Sequence, residues 1–213
     1  MDLISNYKFI NDKINSLAKN VTLIVVTKTF TMNVIKPLID LGHLHFGENK
    51  VQEASIKWTD ILTSNKNLKL HMLGKIQSNK VESIVKIFSY IHSLDSEKLA
   101  NKFCESENKV SKKLNYFIQV NIGNENQKGG INPNLLADFV KFCKFDLKLN
   151  ILGLMCIPPV HSKPDFFFNK LKELNNNFNL KDLSMGMSSD YESAIKHGSS
   201  YIRIGSSIFG KRI

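Results

Sequence analysis

Lys28 is the residue of this sequence best suited to covalent chemistry. It directly follows the largely apolar, β-branched run 21–27, so its stem leaves a buried strand. A lysine ammonium is almost never buried without a partner or a covalent use. Because desolvation lowers the pKa of an amine, such a lysine can attack a carbonyl carbon and form a Schiff base. The alternative is a lysine that extends over the rim into solvent.

Two glycine and serine runs near the C-terminus have the residue types that a phosphate group requires. The first contains Ser188 and Ser189, and the second contains Gly205, Ser206 and Ser207. Glycine lets the backbone approach an anion, and serine hydroxyls add hydrogen-bond donors. In eight-stranded α/β barrels, phosphate frequently binds in the loops after strands seven and eight. Since the two runs follow the seventh and eighth predicted strands, we predict a phosphate site opposite the lysine.

The elements that must position these residues alternate regularly. After an amphipathic N-terminal helix, eight strand segments alternate with helical stretches, without a linker between them. Alternation predicts a parallel sheet with right-handed crossovers, and eight units predict closure into a barrel. An open Rossmann-like sheet would need a glycine-rich turn where Thr27-Lys28-Thr29 stands. The predicted strands are 21–27, 44–46, 68–73, 90–94, 116–121, 149–156, 182–184 and 201–204.

Length and composition fit one α/β domain, a single TIM-type (β/α)8 barrel over residues 1–213. The chain has 213 residues, of which 42% are hydrophobic, enough for one sizeable core. No apolar run approaches the roughly 20 residues of a membrane-spanning helix. The N-terminus lacks a secretory signal, so we expect a cytoplasmic protein. Three widely spaced cysteines predict reduced thiols and neither a disulfide framework nor a zinc site.

The positive charge and one histidine pair would favour other classes of function. The formal net charge is +10, but the lysines are spread along the chain without a basic run. We therefore predict no specific nucleic-acid partner. His43 and His45 flank Leu44 and could suggest a metal pair, but the sequence does not place further ligands. We predict no metal site.

Longer motifs in the sequence resemble those of one protein family. The most specific are Gly47-Glu48-Asn49 and the runs 183–190 and 203–210. Over nearly its whole length the sequence resembles the pyridoxal phosphate homeostasis proteins, also called the proline synthase co-transcribed family. The resemblance implies a fold-type III barrel, similar to the N-terminal domain of alanine racemase, that binds pyridoxal 5′-phosphate (PLP). Other matching segments are 25–29, 46–53, 74–80, 92–95, 119–121, 128–129 and 153–158.

The resemblance implies that six residues bind the cofactor. Lys28 would form a Schiff base with PLP, and Asn49 would lie beside the cofactor near that bond. Arg203 would face the pyridine nitrogen. The phosphate would be bound by Ser188, Gly205 and Ser206. Lys75, Lys80 and Lys128 lie in or near family motifs and receive no role.

An arginine at the pyridine nitrogen would have chemical consequences. Arginine keeps its proton in proteins, so Arg203 could donate to the nitrogen but could not accept from a pyridinium. The nitrogen would stay unprotonated and the ring would be a poor electron sink, which suits storage or carriage better than decarboxylation or transamination. The alternative for Arg203 is an ion pair inside the barrel with a carboxylate such as Glu48.

The predicted function is PLP binding for intracellular homeostasis, by buffering, carriage or delivery, with little or no catalysis. The expected partners are PLP and, as recipients, PLP-dependent apo-enzymes, and we expect a monomer. Alanine racemases add a second β-domain and a partner subunit that supply an opposing base, whereas we expect no such domain here. One alternative is a PLP-dependent amino-acid racemase that acts through Lys28 alone. Another is a phosphate-recognising barrel enzyme for sugar or indole substrates, without PLP.

Overall fold

Eight parallel strands close into a barrel in the computed structural model, which describes residues 2–125, 127–160 and 162–210. Each strand pairs with the next in sequence, and the first also pairs with the eighth. The predicted TIM-type barrel is therefore confirmed. The strands are β1 (Thr22–Val26), β2 (His45–Glu48), β3 (Lys69–Met72), β4 (Tyr90–Leu94), β5 (Asn115–Gln119), β6 (Asn150–Met155), β7 (Asp182–Ser184) and β8 (Tyr201–Ile204).

The helices alternate with the strands, after an additional helix at the N-terminus. This helix, α1 (Leu3–Leu17), is capped by Asp2, whose carboxylate accepts a hydrogen bond from the Ser5 N–H (2.9 Å). The Asn6 side chain of α1 donates to the Ile208 carbonyl (3.1 Å), which joins the first helix to the last. The others are α2 (Met32–Asp40), α3 (Val51–Ser64), α4 (Val81–Ile87), α5 (Glu97–Val110), α6 (Leu136–Lys141), α7 (Pro164–Asn177), α8 (Tyr191–Lys196) and α9 (Ser206–Phe209), with 3-10 turns at Ser78–Lys80 and Pro133–Leu135.

No helix within the described ranges has both the length and the apolar character that crossing a membrane requires.

Several predicted elements differ from the observed ones by one or two residues at their ends, and two of the differences have a local cause. Strand β5 ends at Gln119 and not at Asn121. The Asn121 side chain donates to the Glu125 carbonyl (2.9 Å) and accepts from the Glu125 N–H (3.0 Å), which closes a loop there. The single helix predicted over 133–145 is interrupted, because its last part is a π turn, Phe142–Asp146.

A continuous apolar layer, called here the outer layer, lies between the barrel and the helices. It includes the fully buried side chains of Trp58, Phe88, Phe103 and Phe168. Burial of apolar surface contributes about 25 cal/mol per Å² to folding. The outer layer is therefore the main source of the stability that holds the barrel closed.

The interior of the barrel has a different composition. Among the described residues, the buried apolar side chains of Ile24, Phe117 and Met155 do not belong to the outer layer. In register, Ile24 of β1 pairs with Arg203 of β8, so both face the same side of the sheet. Barrels of this type usually fill their interior with bulky branched side chains. Here the buried residues of the strands also include the polar side chains of His71, His92, Ser184 and Arg203.

Candidate functional site

A cavity of about 400 Å³ lies at the C-terminal end of the barrel strands. This is the end at which (β/α)8 barrels place their functional groups. The cavity is large enough for a cofactor-sized ligand. All six residues predicted from the sequence line it: Lys28, Asn49, Ser188, Arg203, Gly205 and Ser206.

Lys28 comes from the loop directly after β1. Its side chain is half-buried and forms part of the cavity wall together with Ser188 and Gly205. The structure therefore places the lysine in the cavity and not at an outer rim of the barrel.

The backbone around the lysine is held by α3. Thr29 has φ +72°, a left-handed conformation that β-branched residues rarely adopt. Its N–H donates to the Glu53 carboxylate of α3. The Lys57 ammonium, also on α3, donates to the carbonyls of Thr27 (2.9 Å) and Phe30 (3.1 Å). These bonds over-determine the loop, as a strained conformation requires.

Glu48 pairs with Lys57 and not with Arg203. Its carboxylate lies 2.7 Å from the Lys57 ammonium and accepts a hydrogen bond from the Trp58 indole (3.0 Å). Phe46 of the same strand belongs to the outer layer, and alternate residues of a strand face the same side. Glu48 therefore faces outwards, whereas Arg203 faces the interior. The alternative of an ion pair between Arg203 and Glu48 is wrong.

Arg203 is buried and is fixed at one end of its guanidinium group. It donates to the Ser184 carbonyl (2.8 Å), the Ser184 hydroxyl (2.7 Å) and the Cys156 carbonyl (3.0 Å). A guanidinium has five N–H donors. Three of the N–H donors of Arg203 make the bonds above, and two do not take part in them. Arg203 lines the cavity.

The loops after β7 and β8 bring small hydrogen-bond donors to the cavity. Gly205 is the N-cap of α9, and the first N–H groups of a helix have no acceptor within it. Ser188 lies in the loop after β7, where the Asp190 carboxylate accepts a hydrogen bond from the Met187 N–H (2.7 Å). Together with the hydroxyl of Ser206, these groups can bind the oxygens of an anion.

Asn49 reaches the cavity because its neighbouring loop contains glycine. A Cβ atom at Gly74 would overlap the Asn49 carbonyl oxygen, so no larger residue fits there without movement of the backbone. The loops after β2 and β3 can therefore approach each other closely.

The family follows from comparison with known proteins. The model of the alanine racemase N-terminal domain matches residues 2–212. A pyridoxal phosphate homeostasis protein from Aquifex aeolicus is 35% identical over 199 residues, which cover 89% of this chain and 86% of the relative. The chain belongs to the pyridoxal phosphate homeostasis family.

Solved structures agree with this membership. PipY from Synechococcus elongatus, solved with PLP bound, is 30% identical, covers 98% of this chain and 100% of its own, and superposes with a TM-score of 0.88. An alanine racemase from Clostridium difficile is 14% identical and has a TM-score of 0.74 over 98% of this chain and 57% of its own. At that identity the second likeness shows the shared barrel fold alone.

Three lysines in the homeostasis-family motifs lie near the cavity. Lys75 and Lys80 line a neighbouring cavity, which shares Asn49 with the first. The Lys128 ammonium donates to the Pro158 carbonyl (3.0 Å) and lies 2.6 Å from the Glu125 carboxylate. Lys128 therefore joins the loops after β5 and β6.

The histidine pair at positions 43 and 45 has separate partners. His43 bonds to the Tyr7 hydroxyl (3.1 Å) and to the His45 carbonyl (2.8 Å), whereas the His45 ring bonds to His71 (3.0 Å). Within the described part of the chain, no three side chains of metal-binding type are arranged to hold a metal ion.

Sequence reasoning did not identify the residues that hold Lys28 and Arg203 in place. Ser184 is the last residue of β7, and the C-terminal end of a barrel strand is the position that could have indicated it. Glu53 and Lys57 carried no comparable signal, because their contacts depend on how α3 packs against the loop after β1.

Proposed function

We propose that this protein binds PLP as a Schiff base on Lys28 and serves the intracellular homeostasis of the cofactor by buffering, carrying or delivering it. The observation that carries the proposal is that the half-buried lysine shares one cavity with Arg203 and the Gly205-Ser206 loop. The homeostasis proteins among its relatives and the PLP-bound PipY structure support the same cofactor.

The residues around the cavity fit each functional group of PLP. The amine of Lys28 can react with its aldehyde, and the hydroxyls of Ser188 and Ser206 suit its phosphate. The two guanidinium N–H groups of Arg203 outside the bonds to Ser184 and Cys156 can donate to a ring nitrogen. When bound, PLP would supply an aldehyde for Schiff-base chemistry.

The hydrogen bonds of Arg203 favour binding over catalysis. Its guanidinium is a donor to every partner described here and has no lone pair with which to accept a proton. A ring nitrogen beside it would remain unprotonated, which weakens electron withdrawal by the ring. We therefore propose a binding protein and not an enzyme of decarboxylation or transamination.

The main test is the substitution Lys28→Ala, with Lys75→Ala as the matched control. Lys75 is an exposed lysine that lines the neighbouring cavity. In the wild type and in Lys75→Ala we expect a visible absorption band after incubation with PLP, and a stable adduct on Lys28 once borohydride has reduced the imine and removed that band. Lys28→Ala should lose both. An adduct of unchanged yield in Lys28→Ala would contradict the proposal.

The absence of catalysis has its own test. Incubation of the PLP-loaded protein with alanine or serine in deuterated buffer should give α-proton exchange no faster than free PLP. Turnover that requires Lys28 would favour the racemase alternative.

We further propose that the protein is a cytoplasmic monomer of one domain that passes PLP to apo-enzymes. The three cysteines are unpaired, as expected in a reducing compartment. Light scattering coupled to size exclusion measures the mass, and 24.2 kDa is the value for a monomer. Transfer is tested by mixing the loaded protein with an apo-enzyme and following recovery of that enzyme's activity against free PLP.

A further inference from the structure

A chain of hydrogen bonds, called here the histidine column, crosses the interior of the barrel. The His45 Nδ1 lies 3.0 Å from the His71 Nε2, and the His71 Nδ1 lies 2.9 Å from the His92 Nε2. The His92 Nδ1 then lies 2.8 Å from the Ser184 hydroxyl, which accepts a hydrogen bond from Arg203 (2.7 Å). The column therefore connects β2, β3, β4 and β7 to the arginine of the cavity.

The arginine fixes the direction of every bond in the column. Arginine only donates, so the Ser184 oxygen accepts from it and the serine hydrogen is left to donate to the His92 Nδ1. His92 must then carry its proton on Nε2, which donates to the His71 Nδ1. By the same step, His71 is protonated on Nε2 and donates to His45.

The reverse direction would leave one buried group unsatisfied. If His92 carried its proton on Nδ1, the Ser184 oxygen would accept from both His92 and Arg203. The serine hydrogen would then need another acceptor, and the structure gives none among the described residues. A buried polar group without a partner costs about 1–3 kcal/mol.

The surroundings of the rings keep them neutral. Burial lowers the pKa of His71 and His92 well below 6.5, and burial together with the charge of Lys69 lowers the pKa of His45 to about 4. Arg203 further lowers the pKa of His92. The rings also stack on aromatic side chains. The ring centroids of Tyr90 and His71 lie 4.3 Å apart, and those of Phe117 and His92 lie 4.5 Å apart.

We propose that His92, His71 and His45 are positioning residues that act through Ser184 to hold Arg203 in one orientation in the cavity. Because each ring is neutral and protonated on Nε2, the column offers Arg203 one acceptor, the Ser184 hydroxyl oxygen. The column therefore has no extra proton to give to the part of the cavity beside Arg203. The column itself requires no ligand. That the ligand held beside Arg203 is a PLP ring rests on the proposed function.

The first experiment measures the tautomers in the ligand-free protein. Histidine ring nitrogens in ¹⁵N-labelled protein distinguish Nε2–H, Nδ1–H and doubly protonated rings by NMR. We expect His71 and His92 to be Nε2–H tautomers that do not titrate between about pH 5 and 8. Nδ1–H tautomers, or titration near the reference value of about 6.5, would overturn the proposal.

The second experiment breaks the column at the serine. Ser184→Ala removes the hydroxyl, and Ser184→Thr retains it. We expect Ser184→Ala to weaken PLP affinity roughly tenfold, as loss of a hydrogen bond to a charged group does, and to shift the absorption band of bound PLP. The melting temperature is recorded for each variant.

The matched control is Ser200→Ala, on the same border between β7 and β8. The Ser200 hydroxyl bonds only to the backbone of Leu183 in the described structure, so this variant should bind PLP with wild-type affinity and spectrum. Ser184→Thr should restore the spectrum. Wild-type affinity and spectrum in Ser184→Ala would overturn the role of the column. Wild-type protein that binds no PLP would instead overturn the proposed function and leave the tautomer measurement valid.

Discussion

The two faces of the barrel sheet are buried in different ways. The outer layer is a continuous cluster of buried apolar side chains, among them Trp58 and Phe103. The interior contains the histidine column, where each group depends on the protonation of the next. The stability of the outer layer should therefore depend on side-chain volume. The stability of the interior should depend on whether its histidines are protonated. This contrast can be tested directly.

Acidification should have the largest effect and should act through the histidines. Burial lowers the pKa of His43 and His45 to about 4 and that of His71 and His92 well below 6.5. The unfolded chain, with histidine pKa values of about 6.5, binds more protons below that pH. Stability should be complete above about pH 6.5 and decrease as the pH falls towards 4. Urea unfolding at a series of pH values measures this, and a flat profile over that window would contradict it.

Phe103→Ala should destabilise the outer layer without affecting the pH dependence. The ring is fully buried and contacts Tyr116 edge to face at 5.3 Å. We expect a loss of about 4 kcal/mol in the free energy of unfolding, with PLP affinity unchanged. Phe103→Leu, which keeps part of the volume, should lose less. A changed pH profile in either variant would mean that the two faces are not independent.

Lys57→Met should destabilise a charged cluster on the outer side of the sheet, formed by Lys57, Glu48 and Glu53. The substitution leaves Glu48, which is fully buried, without its cation and removes the bonds to the loop after β1. We expect a loss of about 3 kcal/mol and weaker PLP retention on Lys28. Lys36→Met is the control, because the exposed pair of Lys36 and Asp40 contributes less than about 0.5 kcal/mol. Equal losses in both variants would show that burial of Glu48 does not matter.

The sequence was sufficient for the features that depend on local pattern. The predicted limits of β4, 90–94, agree with the observed Tyr90–Leu94, because helical patterns bound this short segment on both sides. Five of the six predicted cavity residues follow barrel strands and Arg203 lies on β8, so closure of the predicted barrel brings all six together. The period-2 alternation of β2 also sets Glu48 on the same face as Phe46, opposite the face of Arg203.

The histidine column could not be predicted in the same way. His45, His71 and His92 lie on three different strands, and each taken alone resembles an ordinary core or surface histidine. Their contacts depend on strand stagger and on side chains that meet across the interior, which no local pattern encodes. The same holds for Thr29, whose positive φ is stabilised by a glutamate on a later helix.

The pairing of β1 with β8 has a consequence for biosynthesis. Lys28 follows the first strand of the barrel and Arg203 lies on the eighth, so the cavity cannot form on a nascent chain that lacks the eighth strand. A ligand that contacts residues on both sides of the β1–β8 pairing stabilises only chains in which the barrel is closed. Binding of the proposed cofactor would therefore favour chains whose eighth strand has been synthesised over chains that lack it.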